Sequence, residues 1–348
     1  NDALGVTFDW YNRTTSDILT TANLPATLGA DAPYENMGTI QTKGWELAID
    51  YRHTFKNGLH FGVTASVADD KTEVTKWTYN TKIPSYGATG WWDKSAYKEG
   101  MVLGDIWGLQ FDRFLTEDDF NADGSLKAGL PDQTKVFPAG YQFAPGDVLY
   151  KDLDNNGELV KQTNTNDKGD LSVIGNALPR LQFGLNLDAA WKGFDISMFF
   201  QGVAKRKLWA AGNQVLPGFT TGEPFYKGAE DYWTPENTDA FYPRPMDYKQ
   251  SASGNYSVND RYLLNMAYLR LKTFTVGYSL PKVWLSKFKV QGLRVYFTGE
   301  NLFTIDGVKP AIDPEIGIRT ASGKSDQRNF GRSYPYQKTV SFGIQLSL

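Results

Sequence analysis

No cysteine occurs in the 348 residues. Disulfide staples, thiolate metal centres and cysteine nucleophiles are therefore excluded, and a chain without thiols suits passage through an oxidising periplasm. Histidine is nearly absent: His53 and His60 flank a single turn, have no third ligand within reach by spacing, and are read as bystanders. Charge of one sign is also lacking. The 36 Lys+Arg and 39 Asp+Glu leave a net charge of -3, which points away from a nucleic-acid partner. No run of about 18 apolar residues exists, so no helix is expected to cross a membrane. The opening NDALGVTFDWYN lacks the basic start and apolar run of a signal peptide and reads as a strand. No phosphate loop, nucleophile elbow or zinc motif is present.

Aromatic residues, in contrast, are plentiful: 19 Tyr, 21 Phe and 10 Trp. Such residues collect at membrane interfaces, in sugar sites and in rich β-cores. Eight stretches alternate apolar and polar residues with period two, the mark of strands with two unlike faces. They run from Leu4 to Trp10, Trp45 to Tyr51, Leu59 to Val67, Leu181 to Ala189, Phe194 to Phe200, Phe274 to Leu280, Leu293 to Phe297 and Val340 to Leu348. Their polar faces carry charges and amides, among them Arg180, Asp188, Asp195, Arg294 and Glu300.

A soluble sandwich would alternate in the same way; connection length separates the two cases. Short turns at His53–Gly58, Trp191–Gly193 and Pro281–Gln291 alternate strictly with long connections at about 14–42, 69–179, 203–267 and 302–338. Outer-membrane barrels do this, with short periplasmic turns and long extracellular loops. The same parity places the stretch 100–112, GMVLGDIWGLQFD, in an extracellular region as a local hairpin or plug-facing ribbon. It also puts the C-terminus in the periplasm. Because the loops outweigh the strands and the chain opens on a strand, further strands are expected beyond this sequence.

Several stretches resemble SusC-like TonB-dependent outer-membrane transporters. TFDWYNRTTSDIL (7–19) and LPATLGADAPYENMGTIQTKGWEL (24–47) resemble that family's strand–loop–strand with its terminal G-W-E. GDVLYKDLDNNGEL (146–159), VIGNALPRLQFGLN (173–186), DYWTPENTDAFYPRP (231–245), MAYLRLKTFTVGYSLPK (266–282) and LRVYFTGENLFTI (293–305) follow in the family's order. The resemblance covers essentially the whole chain. It implies the C-terminal part of a 22-stranded barrel whose plug and remaining strands lie outside this sequence. It further implies oligosaccharide import powered by TonB beneath a SusD-like surface lipoprotein. A peptide, siderophore or vitamin transporter of the same architecture is the alternative within the class. A soluble β-rich carbohydrate-binding protein is the alternative outside it. None of these readings is an enzyme.

Asp152-Leu-Asp-Asn-Asn-Gly-Glu158 has oxygen ligands at positions one, three and five and Gly at six, the first half of a calcium loop. Asp152, Asp154 and Asn156 would supply side chains and Glu158 its carbonyl. Position twelve is Thr163, so Asp167 or Asp170 would have to close the site; Asp170 best matches the pattern implied by the resemblance. A turn held by its own side-chain hydrogen bonds is the alternative. Trp77, Trp91, Trp92, Trp107 and Trp209 fall in expected extracellular loops, where indole faces could stack on sugar rings or simply pack the loops together. Trp10 and Trp45 are expected in an interfacial girdle facing outer-membrane lipid. Arg270 and Lys272 share the outward parity of Phe274 and are expected to meet lipid phosphates or solvent. The cluster Glu117-Asp118-Asp119 offers paired carboxylates, but adjacent loop carboxylates are normally only solvated.

Overall fold

The computed structural model describes residues 3–21, 33–78, 98–161, 168–210, 212, 214–218, 225–246, 254–288, 290–309, 312–315, 320–321, 324–325 and 336–348. The eight alternating stretches form eight strands: β1 (Leu4–Thr21), β2 (Tyr34–Thr54), β3 (His60–Trp77), β4 (Arg180–Trp191), β5 (Phe194–Lys205), β6 (Tyr268–Ser279), β7 (Gly292–Asp306) and β8 (Thr339–Ser347). Each pairs antiparallel with the next, so the sheet is an eight-stranded meander in sequence order. No described helix is long and apolar enough to cross a membrane. The tightest connection, between β4 and β5, places Lys192 at φ 47° and Gly193 at φ 87°. Positive φ at both central residues matches the right-handed twist of the flanking strands.

Register carries the two faces of the strands across the whole sheet. One row reads Leu4, Tyr51, Val63, Leu187, Met198, Phe274, Gly299 and Val340, each opposite the next. The adjacent row reads Gly5, Asp50, Thr64, Asn186, Phe199, Thr273, Glu300 and Thr339. A one-residue slip in any strand would transfer its apolar set to the other face. The apolar face has no protein cover among the described residues: Phe8 is 62% and Phe342 81% exposed. Trp10 and Trp45 stand opposite each other on that face.

The strands reach further than the alternation indicates. β1 runs to Thr21 and β2 starts at Tyr34, so 14–21 and 34–42, expected as loop, are paired strand. β3 likewise continues to Trp77. In these extensions both faces carry polar residues, as in Asp69-Asp-Lys-Thr-Glu73, and no period remains to read. A tilted crossing strand needs about 9–11 residues, so β1 and β2 project beyond any bilayer they span.

Stretch 100–112 adds no spanning strand to the large sheet, as parity requires, although its start pairs with the end of β3: Val102 bridges Glu73, and Val74 N–H donates to Met101 O at 2.8 Å. It forms no local hairpin, however: Asp105–Gly108 pairs with Ser172–Asn176, and Phe111–Phe114 with Val148–Tyr150. Apart from Val74 near the end of β3, the largest fully buried apolar side chains lie in these long connections and not under the sheet. One cluster contains Ile106, Leu208, Trp209, Leu216, Tyr262 and Met266. Another contains Leu109, Phe114, Val148, Tyr150, Leu159 and Trp233. The β3–β4 and β5–β6 connections are thus packed into one body and stitched by bonds such as Val148 N–H to Asn255 Oδ1 at 2.8 Å.

Arg270 and Lys272 are a correction. The register of β6 shifts between Leu271 and Thr273. This bulge returns Arg270 to the polar row, opposite Gln201 and Thr304. Arg270 is 3% exposed and donates to Thr304 Oγ1 at 2.8 Å and to Asp313 Oδ1 at 2.7 Å. Lys272 donates to Glu315 Oε2 at 2.6 Å. Neither side chain points at lipid phosphate; together they clamp residues 313–315 to the sheet.

Candidate functional site

The polar row forms the wall of a candidate conduit. A hollow of about 640 Å³ opens on it, with Thr7, Asp9, Glu46, Ser66, Gln182 and Gln201 among its lining. Asp9 and Glu46 stand directly opposite each other, and neither has an ion-pair partner among the described residues. Nearer the short turns, Arg294 spans β6 to reach Asp195, with Nε 3.0 Å from Oδ1. The path crosses Gly277, where a Cβ would come within 2.5 Å of the guanidinium. Only glycine leaves room for this bridge. Arg180 closes a second two-point pair with Asp69, whose carboxylate also accepts from Leu181 N–H at 3.1 Å. The wall is therefore charged but largely self-paired, as suits a polar face that borders water.

Of the five tryptophans, the three that are described are buried or half-buried. Trp77 is 5% and Trp209 2% exposed, and both pack in apolar clusters. Trp107 is half-buried against the second cluster, with its Nε1 buried and without a hydrogen-bond partner. Trp91 and Trp92 lie outside the described residues. Neither Trp77 nor Trp209 offers an open ring face, so loop packing describes them better than stacking on sugars. Their burial follows from the loops having an apolar core of their own, which period-two patterns do not reveal.

The Asp152 loop does gather carboxylates. Asp152, Asp154 and Asp170 each place an oxygen within 4.8 Å of the other two. Asp152 accepts from Asn155 N–H at 2.7 Å and Gly157 N–H at 2.8 Å. Asp170, fully buried, accepts from Leu153 N–H and Val160 N–H, each at 2.8 Å. Asn156 instead serves the turn: its Oδ1 accepts from Glu158 N–H at 2.7 Å and its Nδ2 donates to Asp154 at 2.9 Å. The Glu158 side chain turns away to pair with Lys135. Desolvation within the loop, then the adjoining Asp152 and Asp170, raise the Asp154 carboxyl above its ordinary pKa. Three converging carboxylates and a carboxyl disfavoured as an anion are what a hard cation would relieve. Asp167 lies outside the described residues.

The Glu117–Asp119 cluster is structural. Asp119 accepts from Arg113 Nη1 at 2.6 Å and Nη2 at 2.7 Å, and caps the short turn through Thr116 N–H at 2.8 Å. Hydrogen bonds from Arg113 hold its carboxyl down at about 2. A depressed folded pKa stabilises above the ordinary value near 3.8 and is lost as pH falls toward 2. The contribution is on the order of 2 kcal/mol. Proteolysis at 113–127 is therefore expected to accelerate between pH 4 and pH 2 in the native protein. In Asp119→Asn it is expected to be fast throughout, with no step over that range.

Residue-pattern reading overlooked Tyr226, Tyr232, Tyr242 and Tyr256, which border a separate hollow. The aromatic density of FYKGAEDYW (225–233) was the available signal.

No protein-family model matches the chain. It is 26% identical over 358 aligned residues to TonB-dependent receptor P3 of Formosa agariphila, covering 99% of this chain and 32% of the relative. It is 22% identical to TonB-dependent receptor SusC of Bacteroides thetaiotaomicron, covering 98% of this chain and 29% of that one. Among solved structures, the RagAB peptide transporter superposes with a TM-score of 0.66 at 20% identity, over 99% of this chain and 33% of that chain. The chain thus spans about a third of the length of the curated relatives it matches. Its resemblance to SusC-like TonB-dependent transporters holds over nearly its whole length. The fold is that of an antiparallel segment of their β-barrel. The relatives are named as TonB-dependent receptors.

Proposed function

We propose that this chain is a wall segment of an outer-membrane, TonB-dependent importer of oligomeric nutrients, oligosaccharide or peptide. The observation that carries the reading is the pair of rows running unbroken across eight strands, one apolar and uncovered, one polar and self-paired. A continuous apolar face of this extent suits lipid; on a soluble carbohydrate-binding protein it would be a liability. The two outer strands, β1 and β8, each have one unpaired edge among the described residues. Open edges do not persist in hydrocarbon, so they would pair with the remaining strands, which surround a plug. By parity the long connections face outward, beneath a SusD-like lipoprotein, and the C-terminus lies in the periplasm. TonB would act through the plug. The test is uptake by cells producing the whole receptor, with and without TonB. Uptake of labelled oligosaccharide or peptide that vanishes with TonB supports the reading; TonB-independent uptake overturns it.

Calcium at Asp152, Asp154 and Asp170 belongs to the same proposal as a structural ion that stiffens the loop. Asp154 is exposed and its backbone role is small, so Asp154→Asn separates ion binding from folding. Millimolar calcium is expected to slow proteolysis at 152–170 several-fold in the native protein, and Asp154→Asn is expected to remove most of that protection. Equal cleavage rates with calcium and with chelator would count against the ion.

A further inference from the structure

We propose that the rim formed by the three short turns binds anionic phospholipid headgroups of the membrane leaflet on that side. The proposal rests on the barrel reading for its setting and goes beyond it in naming the headgroup and the residues that hold it.

The short connections 55–59, 192–193 and 280–291 hold Lys56, Lys192, Lys282, Lys287 and Lys289 and no acidic residue, in a chain whose acids outnumber its bases. Lys289 lies outside the described residues. The turns are fastened side by side. Trp191 Nε1 donates to Asn57 O at 3.3 Å, which ties the β4–β5 turn to the β2–β3 turn. Ser279 N–H donates to Gly193 O at 2.8 Å, which ties it to the β6–β7 turn. Within that last turn Trp284 N–H donates to Pro281 O at 3.0 Å and Val290 N–H to Leu285 O at 3.3 Å, with Leu285 buried beneath. The lysines therefore sit on one connected arc and not on three independent loops.

Charge is sorted between the two faces at this end. Asp50, Asp188 and Asp195 lie on the polar face and are engaged there: Asp50 with Arg52 at 3.1 Å, Asp188 with His60 Nε2 at 3.6 Å, Asp195 with Arg294 Nε at 3.0 Å. Lys56, Lys192, Lys282 and Lys287 are exposed and have no ion-pair partner among the described residues. Outside, the apolar row ends in rings, Trp191 opposite Phe194 and Phe194 opposite Tyr278. Lys192 Nζ stands 4.5 Å from the centroid of the Trp191 ring. Val283 is 76% and Trp284 60% exposed, in sequence between Lys282 and Lys287. Such rings settle at the headgroup level of a bilayer. A lysine among them lays its stem along apolar surface and keeps its ammonium in the headgroup layer, where it meets phosphate. A zwitterionic headgroup brings its own ammonium and cancels the attraction; an anionic one does not, and lysines on one arc add their effects. An acidic protein would answer the lysines but not the uncovered rings continuous with the apolar face, so the combination selects lipid.

The test is native mass spectrometry of the whole receptor, purified in detergent and titrated with dioleoyl phosphatidylglycerol or dioleoyl phosphatidylethanolamine. The native protein is expected to retain phosphatidylglycerol about fivefold or more over phosphatidylethanolamine. The quadruple variant Lys56→Gln/Lys192→Gln/Lys282→Gln/Lys287→Gln is expected to lose about tenfold or more of the phosphatidylglycerol binding. Lys76→Gln/Lys127→Gln/Lys227→Gln/Lys309→Gln removes the same charge from exposed positions away from the short turns and is expected to keep it. The rim lysines are exposed, so the variant should fold, and heat-modifiable migration reads that; the native preference needs no variant. Equal retention of the two lipids by the native protein, equal loss in the two quadruple variants, or tighter binding of a hexaglutamate peptide than of phosphatidylglycerol would overturn the proposal. Each of these leaves the import reading standing while TonB-dependent uptake persists. Headgroup preference that passes the tests in a receptor without TonB-dependent uptake would overturn the import reading and leave the rim standing.

Discussion

Leu185→Arg is expected to prevent stable insertion of the barrel. Leu185 sits at the middle of β4, opposite Ala65 on β3 and Phe200 on β5, in the apolar rows that cross the sheet. An arginine on the lipid face at mid-depth costs about 2–4 kcal/mol, and marginal barrels do not absorb that. Asn186→Arg, one residue along, falls on the polar face opposite Thr64 and should insert nearly as well as the native protein. Heat-modifiable migration of the protein from isolated outer membranes reads the folded fraction. A strong loss for Leu185→Arg with little for Asn186→Arg is expected; equal tolerance of both would remove the assignment of faces.

Arg270→Ala should have a comparable effect for a different reason. Asp313 and Glu315 are nine-tenths buried around the guanidinium, with Arg270 Nη2 2.7 Å from Asp313 and Nη1 3.3 Å from Glu315. Removing the arginine leaves two carboxylates with Lys272 as their remaining cation, 2.6 Å from Glu315. Stranding buried charge in this way costs about 3–5 kcal/mol. Residues 306–315 should then detach from the sheet and become sensitive to protease, while the strands stay paired. The triple change Arg270→Leu, Asp313→Leu and Glu315→Leu should recover much of the loss, because no charge is stranded. If the single variant resists protease as the native protein does, the clamp contributes little.

The strands were legible because one face is apolar throughout, and a period of two needs only that contrast. All eight stretches became strands in one sheet, and the parity of short and long connections correctly denied 100–112 a spanning strand, though not its bridge from Val102 to Glu73 at the end of β3. What escaped had no such contrast. The ends of β1, β2 and β3 are polar on both faces, so pairing there is visible only in hydrogen bonds. Arg270 was misplaced because parity counts residues, and one bulge at Lys272 reverses the count. Asp152, Asp154 and Asp170 do converge, and local spacing suggested the first two; Asp170 depended on family pattern. Trp77 and Trp209 could not be separated from exposed tryptophans by sequence, since the contacts that bury them are distant in the chain: Trp77 packs with Val74 and Met101, and Trp209 shares a cluster with Ile106 and Ile312. The Tyr256 hollow was missed for the same reason.

The central claim is that one row of each strand faces lipid and the next faces water. The absence of cysteine makes a direct measurement possible, since each introduced thiol would be the sole one in this chain. Spin labels placed one at a time at 341–345 in β8, in the whole receptor reconstituted in bilayers, report collisions with oxygen in lipid and with a nickel chelate in water. Oxygen accessibility is expected to peak at Phe342 and Ile344, and nickel accessibility at Ser341, Gly343 and Gln345. Uniform access of the nickel chelate to all five positions would contradict the account.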